Sequence, residues 1–377
     1  MDRKKICFVT ASELTIKAFL QNQIAALSQR YEVHVIVNTR NPDLLSDVAP
    51  KVKVIPADIE RSISLWRDIR ALTRLAQLFR RNRYDVIHSV TPKAGLLAMV
   101  AGLVSGVPVR MHMFTGQVWA TRSGLNRALL KGMDKLLVKC GTHILVDSPS
   151  QRSFLIRQGV VSEDKSCVLA KGSISGVDLE RFKPDGKVRA NMREQLGIAD
   201  GDTIFLFVGR LNRDKGVLDL ATAFQRLVAG GADAHLLVVG PDEEGMQSAM
   251  LQLCSGHRGR LHFIGHTDSP ERYMAAADVF CLPSYREGFG TVIIEAAAAG
   301  IPAVASDIYG ITDAIEEGVS GLLFPPGDIE ALACAMNRML ESDGTRQQFG
   351  DQARQRAIRD FSQQRLTEAV LEYYEGL

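Results

Sequence analysis

A regular alternation of short apolar runs with longer helical patterns constrains this chain more than any other feature. Strand-like runs occur at Ile6–Val9, Val33–Val37, Val52–Ile55, Val86–His88, Val109–Met113 and Ile144–Val146. Helically spaced stretches such as Lys17–Ser28 and Ser64–Arg81 stand between them. A second series follows at Ile204–Val208, His235–Val239, Leu261–Ile264, Val279–Leu282, Ala303–Ala305 and Gly321–Phe324. Strand–helix alternation predicts a parallel sheet covered by crossover helices. The chain has 377 residues, which at roughly 100–200 residues per domain predicts two domains. The expected fold is α/β, with two doubly wound halves, residues 1–185 and 186–359. The join falls in the turn-rich stretch Gly176–Gly186. The helical segment Ser362–Tyr374, within about 360–377, is expected to pack back on the first half. Two such halves facing each other enclose a central cleft, with ligands at the carboxyl ends of the strands.

Composition narrows the class further. With 46% hydrophobic and 23% charged residues, disorder, collagen-like repeats and a pure coiled coil are excluded. No apolar stretch reaches the roughly 18–20 residues of a membrane span; the nearest, Leu96–Val104, ends at Ser105-Gly106. The start, Met1-Asp2-Arg3-Lys4-Lys5 running into Ile6–Val9, is too short for a signal-peptide core. The six cysteines (Cys7, Cys140, Cys167, Cys254, Cys281, Cys334) include no C-x-x-C pair, which points to buried thiols in a reducing cytoplasm and to no metal site. The net charge of +2 is a cancellation. Residues 1–185 hold 28 Lys+Arg against 16 Asp+Glu, and the remainder 17 against 27. The basic half therefore faces an anionic partner.

Two segments carry chemistry. The first, Phe207-Val208-Gly209-Arg210-Leu211-Asn212-Arg213-Asp214-Lys215-Gly216, follows a buried strand directly. Gly209 permits a sharp turn. Arg210 and Lys215 then bring a guanidinium fork and a mobile ammonium to one anion, a combination suited to a diphosphate; otherwise they are solvated surface cations. The second, Arg286-Glu287-Gly288-Phe289-Gly290-Thr291, opens a helix that carries Glu295 about one turn in. Backbone N–H groups of Gly290 and Thr291 make an anion site at a helix N-terminus. Glu295 then lies within reach of a ribose, and Glu287 within reach of sugar hydroxyls. Two carboxylates eight residues apart also fit a glycosidase pair, but a hydrolase has no need of the adjoining phosphate cradle. Structurally, Glu295 reads as a cap or a surface ion-pair partner.

These segments resemble the family 4 glycosyltransferases of GT-B fold, which retain anomeric configuration. The likeness continues through Gly176-Val177-Asp178, Phe182, Pro184, Val239-Gly240-Pro241, Phe263-Ile264-Gly265 and Gly318-x-x-Gly321 to Pro325. It thus spans most of residues 170–330, in order and spacing. The resemblance implies two Rossmann-like domains and a nucleotide-sugar donor, expected to be a UDP-sugar, held by the second half. By the same resemblance, Arg210 and Lys215 bind the diphosphate and stabilise the leaving nucleotide. Glu287 binds donor-sugar hydroxyls, Glu295 the ribose, and Gly288, Phe289 and Gly290 offer backbone contacts. The Gly265-His266 loop lies near the base. It also implies catalysis by cations and helix dipoles without a metal or other cofactor, and front-face attack by the acceptor hydroxyl.

The first half matches the family mainly in pattern. Thr10-Ala11-Ser12-Glu13-Leu14 stands where many relatives have Gly-Gly, and Thr115 stands where many have the His of a His-Gly pair beside Gly116. His112, Thr115 and Gly116 are candidate acceptor-cleft residues, with His112 alternatively a satisfied core histidine. Segment 113–120 also resembles bacterial surface-polysaccharide transferases.

Two stretches of the basic half are amphipathic. One holds Arg61, Arg67, Arg70, Arg74, Arg80, Arg81 and Arg83, with Leu65, Ile69, Leu72, Ala76 and Phe79 on one face. The other holds Arg122, Arg127, Lys131, Lys135 and Lys139 amid leucines. Such charge suits an anionic membrane surface, although part of each helix must cover the sheet. No nucleic-acid-binding motif accompanies it. The expectation is a cytoplasmic enzyme, peripheral on the inner face of the cell membrane. It moves a hexose or N-acetylhexosamine to a lipid-diphosphate-linked saccharide in capsule or O-antigen assembly. The alternatives are a nucleotide-sugar 2-epimerase of the same fold, or a non-catalytic nucleotide-sugar-binding subunit.

Overall fold

The computed structural model describes residues 3–60 and 64–377, so Met1, Asp2 and Arg61 lie outside the described residues. The chain divides into two compact units, residues 1–175 with 364–377 and residues 176–363.

The first unit is built on seven strands: β1 (Lys5–Thr10), β2 (Glu32–Val37), β3 (Lys53–Pro56), β4 (Val86–Val90), β5 (Val109–Phe114), β6 (His143–Val146) and β7 (Ser166–Cys167). Their order is β3-β2-β1-β4-β5-β6-β7, and each neighbouring pair is parallel. The sequence runs foretell six of these; two-residue β7 is too short to leave a period. Strands β1 and β4 are buried on both faces apart from the half-buried Lys5, as in a sheet covered on both sides. The order reverses between β1 and β4, which leaves a crevice at their carboxyl ends.

The second unit holds β8 (Thr203–Val208), β9 (Ala234–Val239), β10 (Leu261–Gly265), β11 (Val279–Leu282), β12 (Ala303–Ser306) and β13 (Gly321–Phe324). The order β10-β9-β8-β11-β12-β13 is again parallel throughout. Its switch point lies between β8 and β11. Each unit is therefore Rossmann-like, and the architecture is that of the GT-B class.

The unit boundary lies at 175/176, at the start of the turn-rich stretch and ten residues before the expected division at 185/186. Backbone pairing decides this: Val177 N–H donates to Phe361 O at 2.8 Å, and Gln363 N–H donates to Val177 O at 2.9 Å. Phe182 is buried in the second unit's core, so the turn chemistry of 176–186 belongs to that unit's entrance. The last helix, Gln363–Glu375, inserts Leu366, Val370 and Tyr374 into the first unit's core. The Tyr374 hydroxyl is 2.7 Å from His88 Nδ1 on β4.

The helix Leu65–Asn82 buries Ala71, Leu75 and Phe79. Leu65 and Ile69, which the sequence pattern puts on the packed face, are exposed together with Trp66 (82% exposed). The stripe at 71/75/79 makes the contact, and the helix's first turns lie outside it. The six cysteines form no disulfide; Cys334 is exposed and Cys167 half-buried, whereas the other four are buried. No described helix is long and apolar enough to cross a membrane.

Candidate active site

The candidate site of the second unit forms where β8 and β11 part. Gly209 N–H donates to Val239 O at 2.9 Å, and Gly240 N–H donates to Gly265 O at 2.8 Å. The ends of β8, β9 and β10 thus close on one another. A Cβ on Gly240, whose φ is 139°, would stand 1.9 Å from Gly209 O. Only glycine permits that approach. The chain then runs through Arg210 to Lys215, braced from the loop after β9. Leu211 N–H donates to Pro241 O at 2.9 Å and Arg213 N–H to Glu244 Oε2 at 3.1 Å.

The cations do not stand alone. Arg210 Nη1 lies 3.1 and 3.3 Å from the two Glu243 carboxylate oxygens, and Asn212 Nδ2 donates to the same carboxylate at 3.1 Å. Lys215 Nζ pairs with the carboxylate of Glu287, which also accepts from Ser284 Oγ at 2.8 Å. Next to it, Arg286 Nη2 donates to Asp214 Oδ2 at 2.8 Å, and Tyr285 N–H to Asp214 O at 2.9 Å. Two consecutive residues of one loop, Asp214 and Lys215, therefore meet two consecutive residues of the other, Arg286 and Glu287, with alternating sign. Tyr285 OH adds a tie to Asp219 Oδ2 at 2.5 Å, which pushes the phenol up to about 12. Gly216, at φ 64°, lets the first loop pass the second: a Cβ there would stand 2.0 Å from Pro283 O.

Beyond Glu287 the loop turns its phenyl inward. Phe289 is buried, 5.2 Å from the Phe361 ring, while the Gly288 carbonyl rests against Gly310. Gly290, at φ 73°, precedes the helix Thr291–Ala298. Its first-turn N–H groups have no partner within the helix, a ready anion site. Glu295 lies on this helix, and burial pushes its carboxyl up to about 7, against the pull of Arg181 and with the push of Glu271. Gly265 ends β10 at φ 74°, and exposed His266 places Nε2 3.5 Å from Asp268 Oδ1. Among the described residues no cluster of three or more metal-ligating side chains occurs.

Sequence reasoning singled out Arg210, Lys215 and Glu287 but missed their partners. Glu243, Asp214, Arg286 and Ser284 were adjacent in the motifs, yet only the fold shows who pairs with whom. The Asp242-Glu243-Glu244 run directly after Val239-Gly240-Pro241 was the available signal.

In the first unit, His112 lies inside β5 and is 1% exposed. Its Nδ1 is 2.8 Å from Ser89 Oγ, and burial lowers the imidazole to about 3, so the ring is neutral. Of its two readings, this geometry matches the satisfied core histidine. Thr115 and Gly116 follow β5 and are half-buried; Thr115 O accepts from Gln151 Nε2 at 3.0 Å. The helix Gly124–Cys140 leaves Leu125 (89% exposed), Leu129 and Leu136 in solvent, while Arg127 and Lys131 lie over the Trp119 ring.

Comparison with known proteins identifies the family. The model of the family Glycosyl transferases group 1 matches residues 188–356, and that of the Glycosyl transferase 4-like domain matches residues 15–172. The chain is 29% identical over 357 residues to the capsular polysaccharide biosynthesis glycosyltransferase CapM of Staphylococcus aureus, covering 94% of this chain and 93% of that one. It is 27% identical to the UDP-Gal:alpha-D-GlcNAc-diphosphoundecaprenol alpha-1,3-galactosyltransferase of Escherichia coli, over 83% of this chain and 81% of that one. It is 30% identical to the alpha-maltose-1-phosphate synthase of Mycolicibacterium smegmatis, over 77% and 78%. Among solved structures, Anabaena HepE in complex with UDP-glucose superposes with a TM-score of 0.82 at 21% identity, covering 99% of this chain and 100% of that one. Sucrose-phosphate synthase from Thermosynechococcus elongatus does so at 0.82 and 22%, with 99% of each covered. The chain belongs to the group 1 glycosyltransferases, the family 4 enzymes of GT-B fold that its motifs resemble.

Proposed function

We propose that this enzyme transfers a hexose or N-acetylhexosamine from a UDP-sugar, with retention, to a lipid-diphosphate-linked saccharide in bacterial surface polysaccharide assembly. The observation that carries the reading is the alternating quartet Asp214–Arg286 and Lys215–Glu287 at the β8/β11 switch point. A donor diphosphate takes Lys215 away from Glu287, and the freed carboxylate then accepts hydrogen bonds from the donor sugar. Arg210 exchanges Glu243 for the same diphosphate, and Glu295 receives the ribose. The Gly265-His266 loop faces the base, with Gly209, Gly288, Phe289, Gly290 and Thr291 offering backbone to the donor. Negative charge grows on the departing phosphate as the bond from the sugar's anomeric carbon to its oxygen breaks. Preorganised cations and the N–H groups at Thr291 lower that barrier by several kcal/mol without a metal. The acceptor oxygen attacks from the same face, and its proton passes to the departing phosphate oxygen.

The capsule and undecaprenol-linked relatives support the acceptor class. Membrane association is supported by where the exposed apolar residues lie. In a parallel sheet each crossover helix starts at the carboxyl edge, so Leu65, Trp66 and Leu125 stand at that edge, with Leu129 one turn further along its helix. Arg67, Arg70, Arg127 and Lys131 flank them, each basic residue near an anionic surface adding about 1 kcal/mol of attraction. The expected site of action is the cytoplasmic face of the cell membrane.

The test incubates the enzyme, with and without EDTA, with UDP-, GDP- and dTDP-sugars and alpha-D-GlcNAc-diphosphoundecaprenol in phosphatidylglycerol vesicles. Nucleotide release from a UDP-sugar that requires the acceptor and survives EDTA is expected, with the protein sedimenting with the vesicles. Interconversion of the sugar without release would mark an epimerase. Binding without either reaction would mark a non-catalytic subunit.

A further inference from the structure

In the first unit a buried glutamine holds the side chain of Gln117 and the backbone of Asp147, two residues that each carry an unmatched side-chain atom. Gln151 is fully buried near the start of the helix Pro149–Arg157. Its Oε1 accepts from Asp147 N–H at 3.1 Å, and its Nε2 donates to Thr115 O and to Gln117 Oε1, each at 3.0 Å. These bonds set the orientation of both amides. A backbone N–H needs Gln151's oxygen, a carbonyl needs its nitrogen, and that nitrogen in turn demands the oxygen of Gln117. The atoms left over are Gln117 Nε2, a donor, and Asp147 Oδ1, an acceptor. Both are buried and neither has a hydrogen-bond partner.

Gln117 and Asp147 are 1% and 3% exposed. Leaving a buried donor or acceptor unmatched costs about 1–3 kcal/mol each, and native folds leave few such atoms. The two are of opposite sense and belong to residues tied to one side chain, Gln117 through its amide oxygen and Asp147 through its backbone N–H. One chemical group satisfies both: a hydroxyl, which accepts from the amide and donates to the carboxyl oxygen. The position agrees. Phe114 on β5 pairs with Val146 on β6, so Gln117 and Asp147 both leave the carboxyl edge of adjacent strands, where this fold class takes its ligands. Thr10 Oγ1, at the end of β1, is another buried atom without a partner along the same edge.

We propose that Gln117 and Asp147, positioned by Gln151, form a subsite for a hydroxyl of the acceptor saccharide. This rests on the transferase reading above in taking that saccharide as the acceptor, and it assigns the recognition to Gln117 and Asp147 in place of His112. The subsite is neutral toward the donor, which the second unit holds.

The full-length enzyme is assayed with alpha-D-GlcNAc-diphosphoundecaprenol as acceptor, comparing wild type with Gln117→Leu and Asp147→Leu. Each variant is expected to raise the acceptor KM about tenfold, the loss of one good hydrogen bond, with the UDP-sugar KM unchanged. Asp147→Leu is expected to keep or raise Tm, because it removes a buried carboxyl oxygen that has no partner. An unchanged acceptor KM would overturn the proposal, and a lowered Tm beside it would show that the pair holds a trapped water. A parallel rise of both KM values would also overturn it, as a general distortion. Calorimetric titration of the UDP-loaded protein with methyl alpha-D-N-acetylglucosaminide separates this from the transferase reading. Wild type without turnover, yet with glycoside binding lost in both variants, sinks the function and keeps the subsite. Equal binding by all three proteins sinks the subsite.

Discussion

Replacing Lys215 by methionine tests the core of the donor site, because the structure separates its effect on stability from its effect on chemistry. Lys215 and Glu287 are 17% and 14% exposed, and besides the ammonium Ser284 Oγ donates to the carboxylate. Lys215→Met keeps the length of the side chain and strands a mostly buried charge, at about 1–3 kcal/mol. For a unit of this size each kcal/mol moves Tm by roughly 2–4 °C, so a fall near 6 °C is expected by differential scanning fluorimetry. The chemical loss is larger. Removing one preorganised donor from a developing oxyanion costs about 10²–10³ in kcat. The double variant Lys215→Met with Glu287→Gln removes the stranded charge while Ser284 can still reach the amide oxygen. Most of the lost Tm is expected to return, and none of the turnover. The reasoning fails if Lys215→Met alone keeps kcat within about threefold of wild type. It fails equally if the double variant recovers activity together with stability, since Lys215 would then be a structural counter-ion only.

Gly216→Ala is expected to weaken UDP binding and lower Tm together, because its Cβ would enter the Pro283 carbonyl and push the two ion-paired loops apart. Gly197→Ala, at a similar φ of 66° but with nothing within 4 Å, is the control. It carries only the left-handed backbone penalty of about 1–2 kcal/mol, so equal calorimetric UDP affinities for the two variants would contradict the close-approach account. Glu295 links pH to both donor affinity and stability, with opposite signs. Its folded carboxyl titrates at about 7 against an ordinary 4.5, so the folded state binds the proton more tightly. Its contribution to stability therefore declines as pH rises from about 4.5 to 7 and is flat above. On the proposed role of Glu295 toward the ribose, donor KM is by contrast expected to fall across pH 7 as the carboxylate forms. Glu295→Gln is expected to abolish that dependence, and a pH profile identical to wild type would exclude Glu295 from the donor site.

The sheets were legible because buried parallel strands read as apolar runs whatever their neighbours. Twelve such runs sit on twelve of the thirteen strands, and only Ser166–Cys167 escaped, being two residues long. The two glycine- and cation-bearing loops after β8 and β11 were legible too, since glycine and cation spacing after a strand is local chemistry. Other features were not. The periodicity of 65–79 could not tell which turns the rest of the domain covers, so Leu65 and Ile69 read as core and are exposed. His112 had two readings, cleft ligand and satisfied core histidine, until Ser89, 23 residues away in sequence, supplied its partner.

By itself, then, the sequence determined the α/β class, the two sheets and which loops follow their strands, because those depend on residue type and short-range period. The tertiary structure alone decided the pairing of Lys215 with Glu287 and of Asp214 with Arg286, the boundary at Ser175 and the docking of Gln117 and Asp147 on Gln151. Each of these is a contact between segments far apart along the chain or an act of burial. Partners, desolvation and the shifts they impose on a carboxyl such as Glu295 exist only once the chain has folded around them.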